Sequence, residues 1–145
     1  MLIRDCRAAD FPAVFELLGQ LWPHLELEAA VLEAVFASYI ADEADSPVCA
    51  AIDGQVVGFA SVNVRNSLWR SGRVAFLDAL VVHESRRRAG IGAALVGRVA
   101  EVARDRGCSC IELDSAFHRA GAHLFYERLG FEKTGFMFGL ALDPR

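Results

Sequence analysis

The sequence lacks any apolar run close to the roughly 18 residues of a membrane-crossing helix, so a helical membrane protein is excluded. Its opening residues, Met1-Leu2-Ile3-Arg4-Asp5, have no apolar core of the kind that directs secretion, and a cytoplasmic location is expected. Cysteine is sparse: Cys6, Cys49, Cys108 and Cys110 are scattered, with no Cys-x-x-Cys turn and partner ligands. That excludes the usual zinc arrangements, so no metal is expected and the four thiols are read as reduced and mostly structural. An excess of positive charge is also missing. The net charge is −4, which argues against a track for nucleic-acid phosphates and weakly favours a cationic or amine-bearing partner. No internal repeat, low-complexity segment or linker interrupts the 145 residues. They are read as one domain, 1–145, long enough to bury roughly two thirds of the unfolded surface. With 54% hydrophobic residues the chain is globular.

What the chain does have is concentrated between Val81 and Leu95. Apolar Val74 to Val82 reads as a buried strand, and Ile91, Leu95, Val99 and Val102 recur at helical spacing. Arg86, Arg87 and Arg88 lie between them, just ahead of a helix start that itself carries partial positive charge. Arginines there make electrostatic sense when an anion is bound. Gly90 and Gly92 remove side chains where backbone amides point outward, so a phosphate can reach them. A solvated basic loop would need neither the strand nor the helix. A dinucleotide fold also uses paired glycines before a helix, and Asp114 lies about twenty residues on, but Leu95 occupies the place of the third glycine. The glycines also stand too far beyond Val82. No Gly-Lys-Ser/Thr follows, which removes a nucleotide-triphosphate loop.

The flanking chain supplies a framework. Met1 to Arg7 reads as an opening strand with Leu2 and Cys6 on one side. Asp10 signals a helix that carries Val14, Leu17, Leu18 and Leu21 and is stopped by Pro23. A second helix is expected from about Glu26 to Ile40, with Leu25, Leu32, Val35, Phe36 and Tyr39 for its buried face, and an acidic loop from Asp42 to Pro47. Val48 to Ile52, Asp53-Gly54 and Gln55 to Val64 read as a hairpin. After the residue 66–72 connection comes the Arg73 to Val82 strand, then a helix from Gly90 to Arg106 closed by Gly107. Cys108 to Leu113 should run parallel to the previous strand or splay from it. A last helix spans Arg119 to Leu129, and Phe131 to Leu142 is expected to return as strand.

With Arg87-Arg88-Ala89-Gly90-Ile91-Gly92 after a central strand and Leu124-Phe125-Tyr126-Glu127-Arg128-Leu129-Gly130-Phe131 near the end, the chain resembles the GNAT superfamily of acetyl-CoA-dependent N-acetyltransferases along essentially its whole length. The resemblance implies an α/β fold, a mixed sheet of about seven strands with four helices, its central strands splayed around acetyl-CoA. It implies that amides of Arg87, Arg88, Ala89, Gly90, Ile91, Gly92 and Ala93 hold the CoA pyrophosphate, and that the backbone of Leu80, Val81 and Val82 pairs with the pantetheine arm. It places Tyr126 where the family keeps its general acid. A phenol suits that task, because its basicity is comparable to that of the departing thiolate. Asp78, nine residues before Arg87, stands where some members have a catalytic glutamate. If Leu77 and Ala79 share the opposite face, Asp78 opens into the cleft with Leu80 and Val82, partly buried and therefore a stronger base. His123, one helical turn from Tyr126, is read as structural, and His83 as a surface residue.

The expected reaction is direct acetyl transfer to a primary amine of a small molecule or peptide, without nucleic acid or membrane as partner. His24, Glu26 and Glu28 fall in the region where the family varies for acceptor choice. Short likenesses at residues 20–23, 58–60 and 76–78 bring aminoglycoside acetyltransferases into view. A non-catalytic CoA-sensing module is the alternative of another class. The apolar strands near Phe136 to Leu142 suggest a homodimer.

Overall fold

The structure is a computed structural model that describes residues 1–116 and 119–143. Contacts divide it into two compact units, Met1–Leu113 and Asp114–Arg145. The first unit holds a sheet of five strands in the order β1-β2-β3-β4-β5. These are β1 (Leu2–Asp5), β2 (Asp45–Ile52), β3 (Gln55–Ser67), β4 (Gly72–Val82) and β5 (Cys108–Glu112). All neighbours are antiparallel except β4 and β5, which are parallel and joined by a helix. The hairpin turn is at Asp53-Gly54 as expected, both in the left-handed region at φ 52° and 79°, the geometry that matches the twist of paired strands.

Three helices cover this sheet. Helix α1 (Phe11–Leu21) has Pro12 in its first turn and ends before Pro23. Helix α2 is Ala29–Ala41 and helix α3 is Ile91–Asp105. Two apolar layers result. One joins Ile91, Leu95, Val99 and Val102 of α3 to Val48, Ala60, Ala75 and Leu77 of the sheet. The other joins Phe11, Val14, Leu17 and Leu18 of α1 and Phe36 of α2 to Cys6, Cys49, Phe59, Ala79 and Val81. The strand alternation divides the sheet's side chains between them. At the start of α1, Asp10 accepts from Arg4 at 2.8 and 2.9 Å and from the Arg7 amide at 2.7 Å. The guanidinium bond holds the Asp10 carboxyl below its usual range against the opposing cost of burial. The Cys6 and Cys49 sulfurs lie within 4.8 Å of each other and of that carboxylate. All four cysteines are free thiols.

The second unit, described by itself, contains α4 (Ala120–Arg128), closed by Gly130 at φ 95°. Tyr126 is buried, with its ring edge-on to Phe125 at 5.4 Å and to Phe131 at 5.7 Å.

Several expectations are corrected. Five strands form among the described residues, not about seven. Phe131 to Leu142 joins no sheet among the described residues, since an apolar run prepares a strand without supplying the hydrogen-bonding neighbour. Of the side chains assigned to the buried face of α2, only Phe36 is buried. Leu32 and Tyr39 are half-buried, while Leu25 and Val35 are exposed. That helix is apolar nearly all round, so spacing cannot select its buried side. Asp45 to Pro47 belong to β2 rather than to a loop, with Asn63 donating to Asp45 at 2.6 Å.

Candidate functional site

The site begins where β4 leaves β5. Pairing between them runs from Arg73 opposite Cys108 to Phe76 opposite Glu112 and stops. On its other side β4 stays paired to β3 as far as Val82 opposite Gly58. Residues 77–82 therefore form an extended strand with one backbone edge not taken by β5, and they contain the expected Leu80, Val81 and Val82. An edge of this kind can accept an extended ligand arm as it would another strand.

The loop that follows is tied down. The His83 amide donates to the Val57 carbonyl at 2.7 Å, and its ring nitrogens lie 2.8 Å from Ser85 Oγ and 3.3 Å from Glu16 Oε1. The Glu84 amide donates to Gln20 Oε1 at 3.0 Å. Two side chains of α1 thus fix the loop, and His83 is a half-buried anchor rather than a plain surface residue. Arg88 at φ 65° and Gly90 at φ 79° then turn the chain through left-handed conformations into α3. The first helical bond runs from the Ala94 amide to the Gly90 carbonyl at 3.1 Å. Helix geometry leaves the earlier amides of Ile91, Gly92 and Ala93 for another acceptor. Arg86, Arg87, Arg88 and Ala89 are exposed around them. Arg87 bridges strand and loop, its Nε donating to the Val82 carbonyl at 3.2 Å, with the remaining guanidinium nitrogens able to meet an anion.

Gly58 sets how closely α3 approaches. A Cβ built there would lie 3.0 Å from Leu95 Cδ1 and 3.1 Å from Ile91 Cγ2. The absent side chain lets the first turns of α3 settle on β3 directly beside the Val82 end of β4. In the sequence Gly58 figures only in the short likeness at residues 58–60, although a glycine inside a strand pattern also signals close approach.

Asp78 departs from its expected surroundings. Ser61 pairs with Ala79 and Val62 with Leu77, so Asp78 is the extra residue of a β-bulge. Leu77 consequently packs in the α3 layer and Ala79 in the α1 layer. They do not share a face, and Asp78 is exposed rather than partly buried, which removes the burial that was to make it a stronger base. Its Oδ2 accepts a hydrogen bond at 2.9 Å from the Tyr39 hydroxyl of α2. Burial first, then the facing carboxylate, push the Tyr39 phenol up, so it remains a donor. Tyr39 was assigned to packing alone; its position three residues after Phe36 was the available sign that it faces the sheet.

In the second unit, burial raises the Tyr126 phenol above its ordinary value, with Arg119 opposing and Asp114 adding to the rise. Such a phenol holds its proton at neutral pH. His123 Nε2 lies 2.9 Å from the Ala116 carbonyl, in keeping with a structural role.

Comparison with known proteins adds an independent line. A sequence model described as Acetyltransferase (GNAT) family matches residues 11–131. An aminoglycoside N(6')-acetyltransferase type 1 of Stenotrophomonas maltophilia is 33% identical, over 98% of this chain and 94% of the relative. A glucosamine 6-phosphate N-acetyltransferase of Trypanosoma brucei brucei is 34% identical, over 89% of this chain and 87% of its own length. Among solved structures, the aminoglycoside N-acetyltransferase AAC(6')-Iy in complex with CoA superposes with a TM-score of 0.87 at 23% identity, over 97% of this chain and 93% of that one, a likeness of fold. An open β4 edge running into an arginine-flanked helix start, and a family match that spans most of the chain, lead to one conclusion: this protein belongs to the GNAT family of acetyl-CoA-dependent N-acetyltransferases.

Proposed function

We propose that the protein binds acetyl-CoA along residues 77–82 of β4 and transfers its acetyl group directly to a primary amine. The observation that carries this reading is the end of β4–β5 pairing at Phe76 and Glu112, six residues before β4 itself ends. The backbone of Leu80, Val81 and Val82 would pair with the pantetheine arm. The amides of Ile91, Gly92 and Ala93, with the preceding turn from Arg87 to Gly90, would hold the pyrophosphate. The charge of Arg87 and Arg88 complements it. A backbone amide near Leu80 is the candidate donor to the oxyanion.

In this reading the acceptor nitrogen attacks the acetyl carbonyl, the new C–N bond forms and the C–S bond breaks. The amine's proton leaves to Asp78, directly or through water, and the Tyr126 hydroxyl delivers a proton to the CoA thiolate. The raised Tyr126 phenol supports its protonated role, and the Tyr39 hydrogen bond supports a fixed position for the Asp78 carboxylate. The two units would serve as one domain, since the family match runs through both. Four unpaired thiols suit a reducing compartment such as the cytoplasm. Among the described residues no helix is long and apolar enough to cross a membrane.

A second, narrower reading makes the acceptor an aminoglycoside. It is favoured by the Stenotrophomonas relative, whose similarity covers nearly both chains. Release of CoA thiol from acetyl-CoA, corrected for the protein's own cysteines and measured against aminoglycosides, amino sugars, polyamines, amino acids and peptides, tests both. Enzyme-dependent release with one amine class supports transfer and identifies the acceptor. Acetyl-CoA binding without release for any amine supports the sensing module instead.

A further inference from the structure

Arg4, Cys6, Asp10 and Cys49 meet where β1, β2 and α1 come together, and the acetyltransferase reading gives them no task. Arg4 lies opposite Cys49 in the β1–β2 ladder, and the Cys6 amide continues that ladder by donating to the Pro47 carbonyl at 2.9 Å. Residues opposite one another, or two apart on one strand, share a face, so Arg4 and Cys6 stand on the side where Cys49 packs beneath α1. Asp10, just before α1, completes the group: its carboxylate and the two sulfurs all lie within 4.8 Å of one another. Sequence spacing conceals this, since Cys6 follows β1 and Cys49 belongs to β2.

The chemistry of the donors fits a metal ion. Two thiolates about 2.3 Å from one ion span at most about 4.6 Å, which the observed spacing permits. A disulfide suits the pair less, because diagonal neighbours across two strands have Cα atoms about 7–8 Å apart, beyond an unstrained bridge. The shared hydrogen bond lowers the Cys49 thiol and raises that of Cys6, so Cys49 is the first to lose its proton. A carboxylate offers about four lone pairs, and Arg4 and the Arg7 amide take one on Asp10 Oδ1 and two on Oδ2. One acceptor site on Oδ1 is left. When two thiol protons leave and a divalent ion enters, the buried charge is unchanged: ion, thiolates, carboxylate and the Arg4 guanidinium balance to zero, as burial requires. A monovalent ion would leave a negative charge over.

Access is also provided. A cavity of about 200 Å³ has Cys6 in its wall, with Asp5, Asp42, Glu43 and Asp45 against the single positive charge of Arg106, a negative mouth that draws in cations.

We propose that Cys6, Cys49 and Asp10 bind a thiophilic divalent cation of the zinc type, with Arg4 as its counter-charge. The ion joins the end of β1, the middle of β2 and the start of α1, the helix whose Glu16 and Gln20 hold the loop after β4.

Titration with Zn²⁺ against a chromophoric chelator tests this, in the Cys108→Ser/Cys110→Ser chain so that the other two thiols contribute nothing. One ion per chain should bind with a Kd of about 1 μM or tighter, and more tightly as pH rises, because thiol protons are released. X-ray absorption of the loaded chain should show two sulfurs at about 2.3 Å and oxygen at about 2.0–2.2 Å. An excess of roughly 100 Kd should raise the melting temperature by roughly 5–10 °C. Cys6→Ala and Cys49→Ala should each weaken binding by more than roughly 100-fold, beyond the loss of an outer-shell partner. The absorption and melting measurements alter no residue of the buried group, which keeps the test valid if these variants fold poorly. Fewer than two sulfurs around the ion, an affinity unmoved by Cys6→Ala, or no uptake at roughly a hundred times the expected Kd overturns the inference. So does a Cys6–Cys49 disulfide in place of ion uptake.

Discussion

Gly58→Ala adds a single methyl group, and its cost can be read from the packing above it. The new Cβ would stand 3.0 Å from Leu95 Cδ1 and 3.1 Å from Ile91 Cγ2. Leu95 is fully buried and Ile91 nearly so, so neither has open space to turn into. The neighbours must give by a few tenths of an ångström, and with both methyls confined the expected response is a lift of α3 at its first turns. Overpacking of this kind costs about 1–3 kcal/mol, and at roughly 4 °C per kcal/mol for a chain of this size the melting temperature should fall by about 4–12 °C. The same movement shifts the amides of Ile91 to Ala93 away from Val82, so acetyl-CoA affinity should weaken by roughly tenfold, the equivalent of about 1.4 kcal/mol, with kcat at saturation nearly preserved. Thermal melts, calorimetric titration with acetyl-CoA and steady-state kinetics give the three quantities. Gly97→Ala is the matched control: it lies in the exposed interior of α3 with nothing within 4 Å, and should stabilise by about 0.5–1 kcal/mol without changing affinity. Leu95→Val in the Gly58→Ala background should recover part of both losses, beyond the sum of the single effects. If Gly58→Ala leaves stability and affinity at wild-type values, the close approach of α3 does not position the cradle.

Three further outcomes follow from the same geometry. Tyr126→Phe should lower kcat by about 10²- to 10⁴-fold with acetyl-CoA binding unchanged, and in the parent enzyme the alkaline limb set by this phenol should lie above pH 10, its ordinary value, because burial raises it. Equal rates for parent and variant would remove Tyr126 from the mechanism. Asp10 has a folded pKa held low by Arg4, so its contribution is present above the unfolded value near 3.9 and is lost as pH falls through the folded value. Asp10→Asn should cost about 2 kcal/mol at pH 7, and denaturant midpoints of the two proteins should converge in strong acid. At Gly90 an added Cβ meets nothing within 4 Å, so Gly90→Ala should cost only the left-handed penalty of about 1–2 kcal/mol, while Gly90→Glu should also weaken acetyl-CoA binding through its charge, a difference calorimetry resolves.

The parts of the fold legible in the sequence are those where a local rule has one solution. The recurrence of Ile91, Leu95, Val99 and Val102 gives α3 and its buried side, Asp53-Gly54 permits a two-residue turn, and Pro23 ends α1. The motif from Arg87 to Gly92 reveals the cradle because strand, glycines and helix start constrain one another. The face of α2 stayed hidden because Leu32, Val35 and Phe36 are all apolar, and only contact with the sheet decides that Phe36 is buried. Tyr39 stayed hidden for a related reason, as its partner Asp78 is thirty-nine residues away in sequence. Residues 136–142 are apolar or glycine throughout, but whether a strand forms depends on a neighbour that no local pattern names.

The bulge at Asp78 is the case where local reading and structure part most instructively, and it yields a test. Leu77 belongs to the α3 layer, Ala79 to the α1 layer, and Leu80 again packs toward α3. With Asp78 removed, Leu77, Ala79 and Leu80 would alternate as an unbroken strand, and their partners Val62, Ser61 and Ala60 are already consecutive on β3. A one-residue deletion in a central strand ordinarily turns every following side chain to the wrong face; here it should leave both apolar layers intact. Deleting Asp78 should therefore give a folded protein, with a melting temperature within about 5 °C of the parent, a shift worth roughly 1 kcal/mol. Acetyl-CoA binding should persist because Leu80 to Val82 keep their pairing with β3, while amine-dependent CoA release should fall with the loss of the carboxylate and its Tyr39 contact. Deleting Leu77 instead moves Asp78 toward the α3 layer and should unfold the chain. A deletion of Asp78 that is as damaging as that of Leu77 would mean that the bulge holds the sheet together, and its carboxylate would lose its standing as a group placed there for chemistry.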